Sequence, residues 1–92
     1  MPEMRFRIRW PDGRRETCYS PSLVIKDHLA VGQDYPLDDF LARSRTALET
    51  ASERVRERYG FPCGRALAQL ARIEEAAARQ EPGTVHVEAF EE

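Results

Sequence analysis

Met4-Arg5-Phe6-Arg7-Ile8-Arg9-Trp10-Pro11-Asp12-Gly13 is the stretch that decides the fold class. Apolar and basic residues alternate from Met4 to Trp10, and a period of two belongs to a strand with one buried face. Met4, Phe6, Ile8 and Trp10 then face a core, with Arg5, Arg7 and Arg9 on the other side. Pro11 presets a turn, and Gly13 accepts a positive φ. Arg15, Glu16, Thr17, Cys18 and Tyr19 follow as the return strand, so the chain opens with a β-hairpin.

Further along, the period changes. After Asp34-Tyr35-Pro36, which reads as a helix opening, Leu37, Phe40, Leu41, Ser44, Ala47, Leu48, Ala51, Val55 and Tyr59 fall on one stripe at helical spacing. Gly60 stands where a left-handed C-cap belongs, Phe61 can fold back onto Val55, and Pro62 prevents continuation. A second helix is expected from about Pro62 to Gln80, burying Cys63, Ala66, Leu67, Leu70, Ile73 and Ala77. So short a joint makes the pair an antiparallel αα-hairpin. Beyond the turn Glu81-Pro82-Gly83, Thr84 to Phe90 alternates again, with Val85, Val87 and Ala89 opposed to His86, Glu88 and Phe90. Ser20-Pro21-Ser22 reads as the start of a short extra helix from Ser22 to about Leu29 that Gly32 ends. Because Val24 and Ile25 are β-branched, a strand continuation competes with that reading.

The expected architecture is α+β: a three-stranded sheet, made of the N-terminal hairpin and a C-terminal strand, packed on the αα-hairpin. All 92 residues form one domain, since two would need about 100 residues each. Leu37 to Tyr59 amounts to about 34 Å of helix, long for a domain whose radius of gyration should be about 12 Å. Part of the helical hairpin should therefore overhang and invite a partner. The apolar stripe of that helix spans about 140°, wider than a typical surface helix needs. Phe40 and Ala47 near its edge are candidates for a homodimer surface, unless the Ser22–Leu29 element covers that edge within one chain.

Composition narrows the function. Apolar residues make up 41% and charged residues 33%, with a formal charge of -2, which argues against wholesale disorder and against bulk attraction to nucleic acid or anionic lipid. No apolar stretch is long enough to span a bilayer, and the alternating start does not read as a signal peptide; a cytoplasmic location is expected. Cys18 and Cys63 then read as free thiols. Neither they nor the isolated His28 and His86 have metal-site spacing, and no glycine-rich phosphate loop is present, so no metal or other cofactor is expected.

Several residues carry chemistry beside a plainer structural reading. Cys63, after Pro62 at a helix start, sits near the positive end of a helix dipole that activates thiols, yet free cysteines are among the most buried residues. The Arg5, Arg7 and Arg9 row suits an anion, but Glu88 and Glu91 on a neighbouring strand can answer it. Ser44 and Ser52 read as helix serines bonded to a carbonyl one turn back. Tyr19, Ser20, Ser22, Asp27, His28 and Tyr35 gather hydroxyls, a carboxylate and an imidazole in one irregular stretch, where binding sites concentrate. Together with Cys63 they form the candidate ligand or partner site.

The opening Met1-Pro2-Glu3-Met4 with Arg9-Trp10-Pro11-Asp12-Gly13 and Cys18-Tyr19-Ser20-Pro21-Ser22 resembles a small bacterial family of nitrogen starvation response proteins. Ala51-Ser52-Glu53-Arg54-Val55, Tyr59-Gly60-Phe61 with Cys63, Gln69-Leu70 and Ile73-Glu74 extend the likeness to around Ala78. None of these motifs is a catalytic signature. The resemblance implies a setting beside a nitrilase, a radical-SAM protein, an N-acetyltransferase and a flavin-dependent oxidoreductase. It thus implies an accessory role in nitrogen acquisition; the missing catalytic signatures and the overhanging helix add the expectation of a non-catalytic interaction protein, a homodimer or a partner of enzymes of the same gene cluster. The alternative from a different class is a small-ligand binder or minor enzyme using Tyr19–Tyr35 and Cys63.

Overall fold

The structure is a computed structural model describing residues 2–92. Strands β1 (Met4–Arg9) and β2 (Arg15–Ser20) form the expected hairpin. A 3-10 turn over Leu23–Asp27 leads to a short strand β3 (Asp34–Pro36). Helices α1 (Leu37–Tyr59) and α2 (Gly64–Ala78) follow, then strand β4 (Thr84–Glu91). The sheet is antiparallel throughout, in the order β2-β1-β4-β3.

It therefore has four strands rather than three. Asp34-Tyr35-Pro36 pairs with His86, Val85 and Thr84 instead of opening the helix. The segment is too short to show a period, and Pro36 suits an edge strand as well as a helix start. The helix begins one residue later, its Leu37 N–H donating to Gly83 O at 3.0 Å, with Asp38 and Asp39 against its dipole in the first turn. Ser22 caps the 3-10 turn by accepting from Val24 N–H, which settles the Ser22–Leu29 stretch as helical, though tighter and shorter than expected.

The fully buried Met4, Phe6 and Ile8 of β1 join Cys18, Val85, Val87, Ile25, Leu48 and Ile73 in one core, and Trp10 meets Phe40 edge-on with ring centroids 5.8 Å apart. Phe40 and Ala47, assigned to a dimer surface, are completely buried in this cluster. The stripe on α1 is wide because the sheet, the 3-10 turn and α2 all pack on it. Neither residue offers a surface to a second copy.

Three further expectations change in detail. A bulge lies where Arg7 pairs with Ala89 but Ile8 with Val87, leaving Glu88 as the extra residue. Beyond it the faces exchange: Ala89 shares the outer face with Arg7, and Phe90 pairs with Phe6 and packs against the core. Helix α2 starts at Gly64, with Cys63 as its cap residue. Phe61 is 66% exposed rather than folded into the hairpin, and Leu67 is 43% exposed. Gly60 ends α1 in the left-handed conformation, at φ 90, as expected. Gly83 is required by proximity, since a Cβ there would lie 2.8 Å from Pro11 Cβ. The two turns are further tied by Asp12 and Gln80, which exchange two hydrogen bonds.

The core makes a paired prediction. Phe40→Ala should cost about 3–5 kcal/mol. Ser44→Ala should stabilise by about 1 kcal/mol, because the Ser44 hydroxyl is buried with no hydrogen-bond partner among the described residues. Urea midpoints at unchanged slope would check both.

Candidate functional site

The residues of the irregular stretch divide among three places. Ser20 and Ser22 are buried in a turn of their own: Ser20 Oγ donates to Ser22 O at 2.7 Å, and Ser22 Oγ accepts from Val24 N and from Arg54 Nη1 at 3.3 and 3.2 Å. These bonds occupy both hydroxyls structurally. Tyr35 lies at the far edge of the sheet, where its hydroxyl accepts from Ala30 N at 2.9 Å. Arg43 stacks over the Tyr35 ring at 4.9 Å and donates to His28 O at 2.9 Å. His28 thus takes part through its carbonyl, as the C-cap of the 3-10 turn, and Asp27 is exposed.

Tyr19 and Cys63 alone are brought together. With Glu3, Pro21, Val55 and Tyr59 they line an open recess of about 210 Å³ beside the helix turn. The Arg65 guanidinium stacks on the Tyr19 ring 3.9 Å from its centroid, and that of Arg5 lies 6.0 Å from it. Partial burial first, and a hydrogen bond to Glu3 second, push the Tyr19 phenol above its ordinary value, so it is neutral at physiological pH. The Cys63 N–H donates to Ser52 Oγ at 3.1 Å. Ser52 is therefore the acceptor that closes the helix turn, rather than a serine bonded back along its own helix. Cys18 is a packing residue, whose thiol burial pushes strongly up.

Two of the three arginines of the row, Arg7 and Arg9, are answered by carboxylates of β4 as the sequence suggests, whereas Arg5 lies against the Tyr19 ring. Glu88, swung outward by the bulge, is approached by Arg15 Nε at 3.0 Å, Arg7 Nε at 3.5 Å and Arg9 Nη1 at 3.9 Å. Glu91 lies 3.8 Å from Arg7. The hydrogen bond from Arg15 does most to hold the Glu88 carboxyl below its usual range; partial burial opposes it, and the charges of Arg15, Arg7 and Arg9 add to it. Among the described residues there is no group of His, Cys, Asp and Glu that could hold a metal ion. No helix of the structure is long and apolar enough to cross a membrane.

Among the described residues four large apolar side chains are exposed: Phe61 at 66%, Tyr59 at 54% and Leu67 at 43% belong to the helical hairpin, and Val31 at 49% to the loop before β3. The molecule measures 39 × 23 × 17 Å, and beyond Ser52 no residue of α1 is fully buried. The overhang expected from helix length is present; it is charged from Glu53 to Arg58 apart from Val55, and exposed aromatic side chains, Tyr59 and Phe61, stand at its tip.

With this geometry in view, the family model of nitrogen starvation-induced protein NitG matches residues 5–90. The chain belongs to that family. The NitG match runs through β4, further than the resemblance read from motifs alone, and takes in the bulge residue Glu88. Neither a curated protein nor a solved structure matches the chain. Family membership establishes a link to nitrogen starvation.

The basic residues of α2 and its C-cap are absent from the candidates that the sequence suggests. Arg65, Arg72 and Arg79 recur every seven residues, which places them on one stripe of a helix. The spacing was a usable signal, although a charge stripe on a helix is ordinarily a solvated face.

Two measurements test the geometry. A carboxyl whose folded-state pKa is depressed adds stability that is complete above its usual value and is lost as pH falls through the lower value. Glu88→Gln should lower stability at neutral pH and flatten the acid limb of the stability profile below pH 4.5. Secondly, a thiol reagent should titrate Cys63 in the native protein and the fully buried Cys18 only after unfolding, with Cys63→Ser removing the first step.

Proposed function

We infer that this chain is a non-catalytic accessory protein of a nitrogen-starvation response, acting by docking to an enzyme of the same pathway. The observation that carries this reading is the apolar end of the helical hairpin, where Tyr59, Phe61 and Leu67 are exposed. Holding a phenylalanine in water two-thirds exposed has no folding benefit, because Gly60 and Pro62 already end the helix. Aromatic side chains presented on a rigid support are the common anchors of protein interfaces. Partners in keeping with the family resemblance are a nitrilase, a radical-SAM protein, an N-acetyltransferase or a flavin-dependent oxidoreductase encoded nearby.

The small-ligand alternative keeps only Tyr19 and Cys63 from its proposed site, in a recess whose volume of about 210 Å³ is below the usual range of ligand pockets, about 300–1,000 Å³. The geometry favours the docking reading.

Each neighbouring enzyme, produced separately, can be tested for co-purification with the full chain. One should be retained by the wild type and weakened about 30-fold by Phe61→Glu, the loss of an anchor worth about 2 kcal/mol, while thermal unfolding stays unchanged. Retention of none of them, or equal retention by Phe61→Glu, would overturn the reading.

A further inference from the structure

A different wall of the molecule carries the inference. Strand β2 is an outer strand of the sheet. Its Tyr19 N–H points away from β1 and donates to Gln69 Oε1 on α2 at 3.0 Å. In an antiparallel ladder alternate residues bond the neighbouring strand. Arg15 and Thr17 therefore share the outward orientation of Tyr19, and their N–H groups have no partner among the described residues. The edge is capped at Tyr19 and open at Arg15–Thr17.

A groove runs beside this edge. Three recesses of about 360, 270 and 220 Å³ succeed one another between β2 and α2. The first two share Arg14, Glu16 and Arg79, and the last two share Arg72. Alanines at 68 and 76 keep the α2 wall low. Arg14, Arg65, Arg72 and Arg79 line it with three carboxylates, Asp12, Glu16 and Glu75, Arg14 lying 3.6 Å from Asp12; Arg15 borders the first recess but is held by Glu88 on the outer face. Arg72 has no ion-pair partner among the described residues. On the same wall Gln69 Nε2 is a buried donor with no partner among the described residues. Its amide cannot be turned to relieve this, because Oε1 is required by Tyr19 N–H.

We propose that the groove between β2 and α2 binds an acidic, extended peptide segment of a partner protein, which adds to the Arg15–Thr17 edge as a fifth strand. Main-chain bonds to the open edge supply affinity, and alternate side chains supply specificity. The segment's carboxylates meet the arginine stripe of α2, for which guanidinium is the preferred partner. Arg65, Arg72 and Arg79 stand about 10 Å apart along that stripe, a spacing suited to several acidic residues rather than one anion. A second copy of this chain is a poorer occupant, because pairing two β2 edges brings two arginine-lined walls together. The inference rests on the reading of the chain as a protein-binding accessory. It is tested with a free peptide and none of the pathway enzymes, so a failure here leaves the co-purification result standing.

The experiment titrates the full chain with a capped heptapeptide alternating glutamate and valine, followed by amide NMR shifts and calorimetry. Shifts should centre on residues 14–19 and on α2, and the same peptide with lysine for glutamate should not bind. Arg72→Glu should weaken binding about tenfold or more, the loss of a charge-assisted contact. Thr17→Pro should do the same, since it removes an outward N–H that the β1 ladder does not use. Methylating alternate amides of the peptide should also weaken binding about tenfold, and this arm leaves the protein unaltered should a variant fail to fold. Absence of shifts at about millimolar peptide overturns the proposal. Equal binding of the methylated peptide overturns strand addition in favour of a simple anion patch. A concentration-dependent dimer broken by Thr17→Pro and indifferent to the peptide assigns the edge to a second copy and overturns it as well.

Discussion

The pairing of β1 with β4 holds the molecule together, and its hinge is the single extra residue at Glu88. These are the two central strands, and they bring the first residues of the chain against the last. Without the bulge, a strict period of two would send Phe90 to solvent and Ala89 to the core. With it, Val85, Val87 and Phe90 all serve the core face, while Glu88 is turned toward Arg7, Arg9 and Arg15. One inserted residue thus fills the core and balances the charge of the outer face. The Glu88 side chain is only 15% exposed, so its ionised form depends on those three guanidinium groups. They in turn are kept from mutual repulsion by it.

This arrangement explains where the sequence was legible and where it was not. The β1–β2 hairpin and both long helices follow from strong periods and from turn chemistry at Gly13, Gly60 and Pro62. The bulge was hidden because Val85 to Phe90 fits uninterrupted alternation equally well; only the register against β1 distinguishes the two. Strand β3 escaped notice because three residues carry no period, and its identity depends on β4, some fifty residues away. Phe40 and Ala47 were misplaced for a related reason. A helical stripe shows that a side is buried, but its width does not say whether one layer or three cover it.

The candidate site was legible only in fragments. Tyr19 and Cys63 are notable in the sequence for different reasons, one for its loop and one for its helix start, and the fold places both on the wall of one recess, with Cys63 fixed by its bond to Ser52. Ser20, Ser22, His28 and Tyr35 looked like a cluster because they are close in sequence. Their hydrogen bonds run instead to their own turn, to Arg54 on α1 and to the Ala30–Arg43 corner. Polar residues beside an irregular stretch are first recruited to satisfy its backbone, and here that demand uses them up.

The same demand separates the two basic surfaces. On the outer face of the sheet, Arg7, Arg9 and Arg15 reach carboxylates supplied by β4, so an incoming anion would have to displace an existing partner. Along α2 the positions are looser: Arg65 lies 3.9 Å from Glu3, Arg79 pairs with its helical neighbour Glu75, and Arg72 has no pair among the described residues. Exposed pairs of this kind are worth about 0–1 kcal/mol and yield readily to a better-placed carboxylate. The five carboxylates of α1 (Asp38, Asp39, Glu49, Glu53 and Glu57) are matched by five arginines on the same helix (Arg43, Arg45, Arg54, Arg56 and Arg58). A molecule of net charge -2 thus keeps one groove in which arginines outnumber carboxylates, and a local excess of that kind attracts an acidic partner at short range. In the row that dominates the sequence Arg7 and Arg9 are engaged by Glu88 and Glu91; beside α2, Arg72 has no pair among the described residues and Arg65 and Arg79 hold only exposed ones.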